Sequence, residues 1–143
     1  MNKENSSFRN FLLISLLMNT IALLLYILSS FGVSALKTIS TIFFFIVVAI
    51  DLTLIYVNLH LINRTNSTGQ KIKMLNWIYL LFFLIAMLLL MSDSLIYSFI
   101  EVGNILRDIS FIGAQLAYCG IFGLGIFTSY YDLQYIDQKN VWK

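Results

Sequence analysis

The residues best able to do chemistry in this sequence are acids in apolar surroundings. Asp51 falls within the apolar run 39–62 and Asp93 within the run 75–99. Asn19, Gln115 and Tyr118 lie inside other apolar runs, and their amide and phenol groups can donate to a carboxylate. A carboxylate in hydrocarbon is unfavourable by at least ~2.5 kcal/mol, so something must compensate it. Two chemistries are open to Asp51. It can take up and release a proton or a cation, as acids on membrane ion paths do. Alternatively, it is a neutral hydrogen-bond residue that fixes helix register for about 1 kcal/mol or less. All nine Lys and Arg residues are in expected loops or tails, so neither chemistry includes a salt bridge at that depth. Asp93 lies between Ser92 and Ser94, where it can reach water or simply end its helix.

Other chemistry has no residues to carry it. Cys119 is the single cysteine and His60 the single histidine, which excludes an intrachain disulfide, a bis-histidine haem and an ordinary zinc site. His60 follows Asp51 by nine residues, and at about 100° per residue it projects from the opposite helix face. Asn58 returns to the face of Asp51. No zincin, paired-cysteine, nucleophile-elbow or P-loop pattern occurs. The expectation is a non-enzymatic protein with no cofactor, no metal and no nucleic-acid partner.

The elements that position these acids follow from composition. Of the 143 residues 59% are hydrophobic and 11% are charged, and mean hydropathy is +0.86; soluble domains carry about 25% charge. Proline is absent, which suits uninterrupted helices better than short alternating strands. The fold class expected is an all-α membrane protein, a four-helix transmembrane bundle forming one domain over 1–143 with no soluble domain. Its helices are expected at about 11–31, 39–62, 75–99 and 109–128. A helix over 39–62 rises about 36 Å against a hydrocarbon layer of ~30 Å, with Asp51 near its midpoint. The first run resembles a signal peptide but exceeds a usual h-region, so it is read as a span. Residues 63–73, rich in Asn, Ser, Thr and Gly, read as the main loop. Residues 100–108 read as a short interfacial turn.

Basic residues set the expected orientation. Lys3, Arg9, Arg64, Lys71, Lys73, Lys139 and Lys143 fall on one side and Lys37 and Arg107 on the other, a split of 7 to 2. Both termini and the basic loop of Arg64, Lys71 and Lys73 are therefore expected on the cytoplasmic side of a plasma or inner membrane. The acceptor tripeptides beginning at Asn5, Asn63 and Asn66 fall on that same side, and glycosylation there would reverse the orientation.

Depth arithmetic then groups the polar residues. Asn19 lies roughly 12 Å in, Asp51 about 17 Å and Tyr118 about 14 Å, counted at ~1.5 Å per residue; these suggest one central layer. Asp93, Gln115 and Tyr26 suggest a second layer nearer the outer surface. On the fourth helix Gly113, Ala117 and Gly120 recur at helical spacing with Gly123 beside them. Such a small-residue stripe lets another backbone approach closely, within the chain or across a homo-oligomer. The sequence therefore leads to a small integral membrane protein acting by helix packing, with lipid, a second copy or a partner membrane protein as its surroundings. The alternative is an oligomeric channel or a proton- or cation-coupled transporter that uses Asp51 and Asp93.

Overall fold

A computed structural model describes residues 3–32, 34–63, 65–101, 103–138 and 141–142; Arg64, Lys139 and Lys143 lie outside the described residues. The chain is all-helical. Four helices follow one another: α1 (Lys3–Ser29), α2 (Ser34–Leu61), α3 (Ser67–Phe99) and α4 (Ile105–Gln134). Each is long and apolar enough to cross a membrane.

The helices are longer than composition suggests, and their caps explain why. The Asn66 side chain accepts from the backbone N–H groups of Thr68 at 2.9 Å and Gly69 at 3.4 Å, starting α3 inside the expected loop. Lys71 and Lys73 are consequently helical residues rather than loop residues. Asn104 caps α4 in the same way, accepting from Leu106 N–H at 3.0 Å. Within the stretch 100–108 read as an interfacial turn, Ile100 is the C-cap of α3 and residues 105–108 are the first turn of α4. Gly103, with φ 93°, makes the connection in a conformation that disfavours side chains. Gly32, φ 97°, does the same between α1 and α2. At its far end α4 continues past Thr128 to Gln134, which carries Asp132 into the bundle.

Consecutive helices run up and down. At one end Arg9 and Phe8 of α1 meet Asp137 and Trp142 of the C-terminal segment; at the opposite end Asp93 of α3 meets Ser110 of α4. α1 lies between α2 and α4, and α4 between α1 and α3, whereas α2 and α3 share only a narrow contact. The buried residues recur three or four apart, as in Ser40, Phe44, Val47, Asp51, Leu54 and Asn58 of α2. That spacing keeps one stripe of each helix against its neighbours.

The core is divided along its length. In one part Ala22, Phe44, Val47, Ala86, Ala117, Ile121 and Phe122 pack together. Toward the end that holds both termini, the buried stripes turn polar. Beyond them the C-terminal segment folds across the bundle: Ile136 joins Leu12 and Leu54, and Val141 joins Ile62 and Ile72. The Asn63 N–H donates to the Val141 carbonyl at 2.8 Å, fixing that segment beside the end of α2. Large apolar side chains, including Leu17, Phe45, Leu84, Leu88 and Leu116, point outward along the helices.

Candidate functional site in the polar interior

Asp51 is 4% exposed and is held from two neighbouring helices. Its Oδ1 accepts from Ser15 Oγ at 3.0 Å and from Asn19 Nδ2 at 2.9 Å, both on α1. Its Oδ2 accepts from the Tyr79 hydroxyl of α3 at 2.7 Å. Ser15 Oγ also lies 2.9 Å from Ser129 Oγ of α4, so one hydrogen-bonded cluster reaches all four helices. Three donors on one carboxyl group offset part of the loss of water.

A second buried acid lies nearer the terminal end. Asp132 of α4 is 1% exposed, and its Oδ2 accepts from Asn58 Nδ2 of α2. Among the described residues no Lys or Arg forms an ion pair with Asp51 or Asp132; the ion pair between described side chains at this end is Arg9 with Asp137, exposed and 3.9 Å long. Between the two acids is a cavity of about 10 Å³ lined by both, by Asn58, Asn76 and Tyr79, and by Gly125, Thr128 and Ser129. Its volume is on the order of a single water molecule. Several polar atoms around it have no hydrogen-bond partner among the described residues: Asn58 Oδ1, Asp132 Oδ1 and both amide atoms of the wholly buried Asn76. Such groups ordinarily find partners, because each unmet one costs about 1–3 kcal/mol.

Gly125 allows this arrangement. A Cβ there would run into the Asn19 carboxamide, so only glycine lets α4 come this close to the side chain that serves Asp51.

The residues anticipated from sequence are distributed differently. Asn19 does join Asp51, but Tyr118 does not. Tyr118 stacks on Tyr26 with ring centroids 5.0 Å apart and meets Phe44 edge-on at 4.8 Å. The cause is the length of α2: from Ser34, Asp51 is about 26 Å along the helix, whereas Tyr118 is about 20 Å along α4 from Ile105. Tyr118 accordingly lies with Asp93, Gln115 and Tyr26 around a separate cavity of about 310 Å³ at the opposite end. Asp93 there is half-buried and accepts from Ser110 Oγ at 2.9 Å. Asp93 and Asp51 thus belong to different sites.

The small-residue stripe of α4 faces α3 within the chain. A Cβ on Gly120 would meet the Phe82 ring, one on Gly113 would lie 3.6 Å from Leu89, and Ala117 is buried. Gly123 faces open space. Of the basic residues in the expected loop, Lys71 is exposed and Lys73 half-buried on the first turns of α3. His60 is exposed and meets the Tyr56 ring edge-on at 4.6 Å. Among the described residues no three His, Cys, Asp or Glu side chains gather where they could share a metal ion.

Ser15, Asn76, Tyr79, Thr128, Ser129 and Asp132 complete the interior site without having been singled out from sequence. Their signal was the helical spacing of polar residues, as in Ser15–Asn19 and Ser129–Asp132, rather than the presence of any one residue.

Fold and site together define an all-helical protein with four helices that could span a membrane and two acids in its interior. No family model matches the sequence, no curated protein matches it, and no solved structure matches it.

Proposed function

We propose that this is a non-enzymatic multi-pass membrane protein whose polar interior handles protons or cations, as a channel or coupled transporter does. One observation carries the reading: two acids, Asp51 and Asp132, are buried in one polar column without a basic partner among the described residues. Acids at such positions mark substrate and ion pathways and proton relays. The outward-facing apolar side chains suit contact with lipid. The 7 to 2 division of basic residues supports cytoplasmic termini in a plasma or inner membrane, so the column lies toward the cytoplasmic end of the bundle. Asp93 belongs to the other, outer end and is left out of this path.

The test is flux into liposomes carrying the purified chain. Proton or cation uptake above that of empty vesicles, lost in Asp51→Asn and Asp132→Asn, supports the proposal. Uptake equal to empty vesicles in the wild type overturns it.

A second reading is favoured by the Asp51 cluster itself. Its donors come from two helices and its network touches a third, which is also how a packing residue would be held. In that case the chain acts as a membrane subunit, alone or with a partner, and Asp51 keeps its helices in register.

A further inference from the structure

We propose that Asp132, Asn58 and Asn76 form a binding site for one dehydrated monovalent cation of sodium size. Three residues on three helices line the same small cavity, and each has an oxygen without a donor among the described residues: Oδ1 of Asp132 on α4, Oδ1 of Asn58 on α2 and Oδ1 of Asn76 on α3. Asn76 is the decisive residue, because it is wholly buried and neither of its amide atoms has a partner among the described residues. A purely structural asparagine at that depth would be bonded.

The chemistry of the donors narrows the occupant. Carboxylate and amide oxygens suit hard cations, and no soft ligand lines the cavity. A cavity of about 10 Å³ takes a single small particle. Magnesium keeps several of its waters and calcium takes six to eight oxygens, so both need more room and more ligands. A proton on Asp132 Oδ1 would turn that oxygen into one donor for the two remaining amide oxygens, so one of them would still wait. A bare monovalent cation meets all three together and neutralises a buried carboxylate at the same time. Asp51 already receives three donors, which leaves Asp132 as the acid with an oxygen to give.

The role of this site in transport rests on the ion-handling reading above, whereas binding itself does not. The full chain in detergent micelles is compared in sodium chloride, potassium chloride and choline chloride at equal ionic strength, by thermal unfolding and by retention of radioactive sodium. Sodium is expected to raise Tm and to be retained, with potassium and choline much less effective. Asn76→Leu removes no side-chain hydrogen bond made among the described residues, so it should fold. In choline it should melt at or above the wild-type temperature, and in sodium below it, with sodium retention reduced by about tenfold or more. Equal melting curves in the three salts, with no sodium retained, overturn the site and leave water as its occupant. Sodium retention that Asn76→Leu does not change also overturns it. Liposome flux separates this outcome from the broader reading. Sodium binding without flux keeps the site and removes the transport role; proton flux without sodium binding does the reverse.

Discussion

The Tyr79 hydroxyl donates to Asp51 Oδ2 at 2.7 Å, joining α3 to α2 where those two helices otherwise touch only narrowly. Removing that hydroxyl leaves the Asp51 oxygen without its donor and the α2–α3 seam without its buried tie. Tyr79→Phe is therefore expected to destabilise the bundle by about 1–3 kcal/mol. Unfolding in mixed micelles measures this. In Asp51→Asn/Tyr79→Phe the two effects should be non-additive, because both changes act on one contact.

Two glycines of α4 separate close packing from mere flexibility. Gly125→Ala drives a methyl group into the Asn19 carboxamide and displaces a donor of Asp51; a loss of about 1–3 kcal/mol is expected, the range for overpacked cores. Gly123→Ala meets nothing within 4 Å. It should leave stability unchanged or raise it by up to ~1 kcal/mol through better helix propensity. If the two variants unfold alike, the close approach of α4 to α1 at Gly125 is wrong.

These contrasts show what the sequence could carry. Four apolar runs without proline specify four helices, because composition alone makes any other buried backbone unfavourable. Helix ends were less legible: Asn66 and Asn104 look like loop residues in composition but act as caps, so each helix begins earlier than its apolar run. The other limits mattered as much: α2 begins at Ser34 rather than near 39, which separates Asp51 from Tyr118, and α4 runs to Gln134 rather than 128, which brings Asp132 into the bundle. Gly125 was likewise invisible, since its purpose depends on Asn19, more than a hundred residues away in sequence.

The two acids within the apolar runs should respond differently to removal. Asp51→Leu deprives the buried Tyr79 hydroxyl of its acceptor and leaves Asn19 only Ser15 and Ser15 only Ser129 to donate to; a loss of about 2–5 kcal/mol is expected. Asp93→Leu affects chiefly Ser110, whose hydroxyl also donates to the Arg107 carbonyl at 2.9 Å. That change should fall within about 1 kcal/mol. Comparable losses for the two variants in the same unfolding assay would contradict the division of polar residues into an interior cluster and a separate, half-open end.

The C-terminal segment covers the end of the bundle nearest Asp132. Val141 is wholly buried against Ile62 and Ile72, and its carbonyl accepts from Asn63 N–H. Ile136 closes the other side of the same end by packing on Leu12 and Leu54. Ile136 follows Asp132 by four residues, so these apolar contacts stand on the approach to the buried acid from this end. Val141→Asn keeps the backbone bond but places an amide in an apolar pocket, where without a partner it costs about 1–3 kcal/mol. The segment should then detach more often while the four helices keep their own core. Backbone amides of Asn63 and its neighbours should exchange hydrogen faster than in the wild type, with exchange around Ala117 and Ile121 unchanged. In liposomes the same variant should raise any flux that depends on Asp132. Unchanged exchange at Asn63 would mean that Val141 does not hold this end closed.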